Sequence, residues 1–181
     1  MVYVFLADGF EEIEAITSID VLKRAELDVQ MISVTDSLTV QGAHGVSMVC
    51  DRAFSSCDFK KAKAIVLPGG MPGADTLSKH KGLLELIKGL VGSSTYLAAI
   101  CAAPMVFGKM GILKDIKAVC YPGFEDQLTG AKVQDTLVAI DGQFVTGKGP
   151  GASMDFALTL VELIKDKATA EQLKKDMCIN A

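Results

Sequence analysis

Residues 96–104 read Tyr-Leu-Ala-Ala-Ile-Cys-Ala-Ala-Pro, an apolar run that meets a cysteine and then a proline. Tyr96 to Ile100 has the length and composition of a buried strand, and Pro104 fits the first turn of a helix, where its missing N–H lacks a partner anyway. Cys101 therefore falls on the turn between a strand and a helix, the position of a nucleophile elbow. The unpaired N–H groups and the positive end of a helix favour thiolate over thiol. A contribution of about 1–2 kcal/mol would bring a thiol that ordinarily ionises near 8.5 down by about one. The other reading of Cys101 is a small apolar side chain packed at a strand end.

Outward from this segment the chain alternates. Val2 to Leu6 reads as a strand, Glu11 to Ala25 as a helix through Ala15, Ile19 and Leu22, and Val29 to Val34 as a strand again. Val46 to Cys50 and Ala64 to Leu67 follow as strands, the second ending in Pro68-Gly69-Gly70. Leu83 to Leu90 and Ala103 to Met110 are helical, Ala118 to Cys120, Leu137 to Ile140 and Phe144 to Thr146 extended, and Ser153 to Ile164 and Ala168 to Met177 helical. Strands separated by helices imply a mostly parallel sheet covered on both faces, an α/β/α sandwich of three layers. Ligands in such sheets gather at the carboxyl ends of the strands, where Gly9, Gly69, Gly70 and Cys101 would emerge together.

With 181 residues, half of them hydrophobic, the chain can bury one core, and residues 1–181 are expected to form a single domain. A net charge of -4 removes any general attraction to nucleic acid or an anionic membrane. The Val2–Leu6 run has no basic segment before it and reaches Asp8 at once, so it reads as neither signal peptide nor span, and a cytoplasmic location is expected. Five cysteines without Cys-x-x-Cys spacing, with only two histidines, indicate neither a disulfide framework nor a zinc site. No metal and no cofactor is expected, and Cys50, Cys57, Cys120 and Cys178 are expected to be ordinary small side chains.

Where a nucleotide-binding fold carries a glycine-rich phosphate loop, this chain has Ala7-Asp8-Gly9-Phe10-Glu11-Glu12-Ile13-Glu14, whose four carboxylates would repel a phosphate. Glu11 and Glu12 read as first-turn acids that compensate the helix dipole. Glu14 lies beside the stripe of Ser18, Val21 and Ala25 that faces the sheet, so its carboxyl is partly desolvated. Set next to Cys101 it would share one proton with the sulfur, in a thiolate and neutral-acid form; set apart from it, Glu14 is one more first-turn acid. Gly69, Gly70 and the Ala102 N–H could form an oxyanion hole, or Pro68-Gly69-Gly70 is a plain turn. Gly147-Lys148-Gly149-Pro150-Gly151 precedes a helix and could close the site, with Lys148 either binding an anionic substrate or simply solvated.

Gly-Phe-Glu-Glu-Ile-Glu at 9–14, Leu-Pro-Gly-Gly at 67–70, Ala-Ala-Ile-Cys-Ala-Ala-Pro at 98–104 and Gly-Pro-Gly at 149–151 occur in the order seen in one superfamily. Over nearly its whole length the chain resembles the ThiJ/PfpI superfamily, and within it the branch of the parkinsonism-associated deglycase and its bacterial relatives. The resemblance implies a flavodoxin-like sandwich related to class I glutamine amidotransferases, usually a homodimer. It implies Cys101 as nucleophile and oxidation-sensitive cysteine, and Glu14 as its hydrogen-bonded acid. The N–H groups at Gly70 and Ala102 would line a pocket reached by Tyr121 and Pro150, with Arg24 near the dimer contact. A histidine common near the cysteine falls at the Tyr121-Pro122 step and is Tyr121 here, a poor base at neutral pH. His44 and His80 read as surface residues, His44 as a candidate interface residue.

The activity implied is a glyoxalase or deglycase acting on methylglyoxal or early glyoxal adducts, through attack of Cys101 on an aldehyde carbon. The alternative is a redox-sensing stress protein or chaperone, in which the same sulfur is oxidised to a sulfinate. An intracellular cysteine peptidase ranks below both, because the residue after the cysteine is Ala102 and not the histidine that branch uses as its base.

Overall fold

The computed structural model describes residues 1–179. Eleven strands and six helices follow in chain order. They are β1 (Val2–Leu6), α1 (Glu12–Arg24), β2 (Val29–Ser33), β3 (Thr39–Gln41), β4 (Ser47–Val49), β5 (Arg52–Ala53), β6 (Ala64–Leu67), α2 (Gly73–Lys79), α3 (Lys81–Leu90), β7 (Tyr96–Ile100), α4 (Pro104–Lys109), β8 (Lys117–Ala118), β9 (Lys132–Val133), β10 (Val138–Asp141), β11 (Phe144–Gly147), α5 (Ser153–Ile164) and α6 (Lys167–Asp176).

Seven strands form one sheet in the order β10-β11-β7-β6-β1-β2-β5. Every neighbouring pair in it is parallel except the edge pair β10–β11. β1 and β6 are buried at every residue, the continuous apolar pattern of strands covered on both faces. From β1 the chain moves outward to β2 and β5, then returns to the other side of β1 to lay down β6 and β7. Crossovers of one hand that travel in opposite directions put their helices on opposite faces. Accordingly α1 packs with α5, and α5 with α6, while α2 packs with α3 and α4. The three-layer α/β/α arrangement expected from the alternation is the one found.

The reversal of strand order falls between β1 and β6. In open α/β sheets that is where a crevice forms at the carboxyl ends of the strands. The loop after β1 leads into α1 and Glu14, the loop after β6 is Pro68-Gly69-Gly70, and the turn after the next strand, β7, is Cys101.

Several local expectations need correction. The segment 46–50 contributes β4, which pairs with β3 in a separate hairpin and not with the central sheet. The segment 118–120 likewise gives only Ala118 to a strand, β8, which pairs with β9. α2 was hidden by the glycines and prolines before it, a composition that reads as loop. Among the described residues no helix is long and apolar enough to cross a membrane.

Candidate active site

Cys101 adopts φ 64°, the left-handed region that costs an L-residue roughly 1–2 kcal/mol. Two hydrogen bonds from its own peptide hold it there: its N–H donates to Gly147 O at 2.9 Å and its carbonyl accepts from Tyr121 N–H at 2.8 Å. The sulfur-bearing residue is only 8% exposed. The backbone N–H groups of Gly70 and Ala102 lie close enough to the sulfur to favour its anion.

Glu14 is completely buried. Its own N–H donates to Glu11 Oε2 at 2.8 Å, so Glu11 is the N-cap of α1. Glu14 Oε2 accepts the Gly69 N–H at 2.7 Å, and the Gly69 carbonyl accepts the Glu11 N–H at 2.9 Å. These bonds clamp the start of α1 to the loop after β6. Glu14 Oε1 is buried with no hydrogen-bond partner among the described residues.

Glycine is required twice in this clamp. A side chain on Gly70, at φ 86°, would run into Glu11 N and Gly9 O. A Cβ on Gly69 would lie 2.6 Å from Cys101 Cβ and 2.8 Å from Glu14 Oε2. Gly69→Ala is therefore expected to force the sulfur and the carboxyl apart, lowering stability by about 1–3 kcal/mol and slowing alkylation of Cys101. Melting and iodoacetamide labelling check this, and unchanged labelling would show that the notch is not tight.

Burial pushes the Cys101 thiol up to about 12; the charge and hydrogen bond of Glu14 add to the rise, while the Gly70 and Ala102 N–H groups oppose it. Burial pushes Glu14 up to about 7, against the Gly69 N–H and the hydrogen bond with Cys101. Lost solvent and the adjacent carboxyl thus work against the helix terminus at Cys101, and α4, six residues long, begins only at Pro104. Two negative charges are not held together here, so the pair ionises in two steps and carries one proton in between.

Because the folded pair keeps its first-released proton up to about 7, against 4.5 for an unfolded carboxyl, the stability this contributes is complete below pH 4.5 and lost as pH rises through about 7. Relative to Glu14→Gln, the wild type is expected to lose on the order of 3 kcal/mol between these limits. Urea unfolding of both proteins at mildly acid and mildly alkaline pH measures it, and parallel curves would contradict it.

The remaining sequence candidates divide. Gly69 cannot serve an oxyanion, since its N–H is taken by Glu14. Lys148 Nζ is paired with Asp135 Oδ1 at 2.7 Å, an arrangement nearer to the solvated reading of this side chain than to the anion-binding one. Tyr121 and Pro150 line a cavity of about 250 Å³ beside the elbow. Arg24 pairs with Asp20 at 2.7 Å in the last turn of α1, roughly 15 Å along the helix from Glu14. His44 is exposed and its Nδ1 lies 2.7 Å from Glu12 Oε2. That bond raises the imidazole pKa. His80 is half-buried, not a free surface residue, and its Nδ1 accepts the Leu83 N–H as N-cap of α3. Neither histidine is a partner of Cys101.

Glu11 and Glu12 turn out to do more than compensate a dipole. Glu12 is buried and accepts the His44 N–H at 2.6 Å as well as the His44 ring, tying the β3–β4 hairpin to α1. Glu11 and Glu14 have the Ncap–N3 spacing of a capping box, a signal present in the sequence. Glu11, Glu12 and His44 offer ligand atoms within 4.8 Å of one another, the one cluster among the described residues that could hold a metal. Both oxygens of Glu12 already accept hydrogen bonds there.

The model of the DJ-1/PfpI family matches residues 1–163. Protein DJ-1 homolog B of Arabidopsis thaliana is 40% identical over 170 residues, covering 93% of this chain and 39% of the plant protein, so the chain spans well under half of that relative. The glutathione-independent glyoxalase DJR-1.2 of Caenorhabditis elegans is 34% identical over 171 residues, covering 93% of this chain and 90% of the worm protein. The solved structure of oxidized Toxoplasma gondii DJ-1 superposes with a TM-score of 0.93 at 34% identity, covering 98% of this chain and 97% of that one.

Proposed function

Because the chain belongs to the DJ-1/PfpI family, we propose that it is a cofactor-independent enzyme of reactive dicarbonyls, converting methylglyoxal to lactate or acting on early glyoxal adducts. The observation that carries the reading is the burial of Cys101 and Glu14 on either side of the Gly69 notch, where each opposes the other's charge and the Gly70 and Ala102 N–H groups favour the sulfur's anion. The worm relative's name, a glutathione-independent glyoxalase, supports the reaction class.

In the reactive form the proton sits on Glu14. A carboxylate with one oxygen unpartnered in the core is costly, whereas the sulfur has donors suited to an anion. The sulfur adds to the aldehyde carbon, and the alkoxide that forms is stabilised by the Gly70 and Ala102 N–H groups and takes the proton from Glu14. The Glu14 carboxylate then removes hydrogen from that carbon and returns it as a proton to the neighbouring carbonyl carbon through an enediol. A hydroxyl proton shifts between the two oxygens, leaving a 2-hydroxy thioester. Water cleaves the thioester to lactate and returns the sulfur and Glu14 to their starting form. One carbon is oxidised and its neighbour reduced, so no external electron acceptor is needed.

The functional unit is proposed to be one domain, cytoplasmic, and a homodimer. Exposed Ile13 and Ile16 on α1 and Val46 and Val49 on the hairpin offer apolar side chains for it, with His44 in the same hairpin and Arg24 at the far end of α1. Sedimentation of the wild type against Ile13→Glu tests the dimer.

For the activity, purified protein is given methylglyoxal without glutathione and lactate is counted per protein molecule. Many turnovers are expected. Consumption that stops at one aldehyde per cysteine would overturn the enzyme reading. If mild peroxide also placed two oxygens selectively on Cys101, a redox sensor would take its place.

A further inference from the structure

The cavity beside the elbow is walled by Tyr121, Pro122, Leu137, Gly149, Pro150 and Ala152. Both of its walls hang on the Cys101 peptide: the Tyr121 N–H donates to the Cys101 carbonyl, and the Cys101 N–H donates to Gly147, which leads into the 149–152 loop. The cavity thus adjoins the elbow through the backbone on both sides of Cys101. Its volume is about 250 Å³. A cavity of about 150 Å³ already holds benzene, so a methyl group would leave most of this one empty.

The chemistry of the walls is that of a phenol ring, two prolines, a leucine and glycine backbone. The one cation on the rim, Lys148, is already paired with Asp135. A carboxylate or phosphate would find no free charge there, while a flat apolar group could stack on the Tyr121 ring. Gly149 keeps the space open. Its backbone, at φ 166°, is extended and would accept any residue, yet a Cβ would lie 3.1 Å from Tyr121 Cδ2.

We infer that this cavity seats the uncharged substituent of the substrate, and that Tyr121 and Gly149 make the enzyme selective for aryl or branched-alkyl 2-oxoaldehydes over methylglyoxal. The inference rests on the dicarbonyl reading above and adds the substrate class. Tyr121, which stands where a histidine base is common in the resembling branch, becomes a specificity residue.

The test has two arms. In the first, kcat/KM is measured for phenylglyoxal and for methylglyoxal on wild type, Tyr121→Ala and Gly149→Val. The wild type is expected to favour phenylglyoxal at least tenfold, and each variant to reduce that ratio tenfold or more. In the second, the Cys101→Ser protein is titrated with acetophenone, which has the aryl group and no aldehyde, and backbone amide shifts are followed by NMR. Saturable shifts are expected at Tyr121 and at residues 149–152. A ratio unmoved in both variants, or shifts confined to other surfaces, overturns the subsite and leaves the dicarbonyl chemistry standing. Saturable shifts at the loop with no turnover of either aldehyde keep the cavity's ligand class and overturn the reaction. Tyr121→Ala removes a side chain that is 45% exposed, so the test survives if Gly149→Val fails to fold.

Discussion

Cys101→Ser is expected to end lactate formation from methylglyoxal, lowering kcat/KM by at least about a thousandfold, in line with the loss of a nucleophile that works with its acid as a unit. Serine keeps the size and the backbone bonds to Gly147 and Tyr121, so the elbow survives and only the sulfur is lost. A hydroxyl does not ionise in this pH range, so it supplies no anion to attack the aldehyde while Glu14 holds the proton. Far-ultraviolet circular dichroism and melting should match the wild type within a few degrees. Lactate assays on the purified variant settle the point, because full activity would place the chemistry elsewhere on the protein.

Glu14→Gln is expected to lower kcat by about a hundredfold to ten-thousandfold, the range for removing a positioned acid–base group. The amide can still accept the Gly69 N–H, so the clamp between α1 and the loop after β6 is retained. What it cannot do is carry a proton to the alkoxide and then collect one from carbon. In the wild type, kcat/KM should rise with pH through about 7, as the pair loses its first proton and reaches the reactive form. In the variant that limb should leave 7. A variant with wild-type kcat and the same limb would remove Glu14 from the mechanism.

Much of this was legible in the sequence because it was written in short apolar runs with hard stops. Val2–Leu6, Ala64–Leu67 and Tyr96–Ile100 are bounded by Asp8, Pro68 and Cys101 and matched the strands residue for residue. Pro104 marked the first residue of α4. Strand β3, its pairing with β4, and helix α2 were not legible: the hairpin is tied down by Glu12 from across the chain, and α2 starts among glycines and prolines. The pairing of Glu14 with Cys101 could be stated only as one of two readings, since helical periodicity gives a face and not a neighbour. The opposing push on the thiol was not legible, because burial and a facing carboxyl belong to the tertiary structure, while a helix terminus can be read locally. Gly69 was misassigned for a related reason, as nothing local shows that its N–H is already spent on Glu14.

The central claim is that sulfur and carboxyl hold one proton, with the negative charge on the sulfur. Thiolate absorbance in the ultraviolet, titrated on the wild type with the Cys101→Ser signal subtracted and repeated in Glu14→Gln, measures it directly. The account predicts that the Cys101 thiolate appears at the first step of the pair, near 7, and that the titration moves when the acid becomes an amide. A thiolate that appears only near 12, or one at an ordinary value that Glu14→Gln leaves in place, would contradict it.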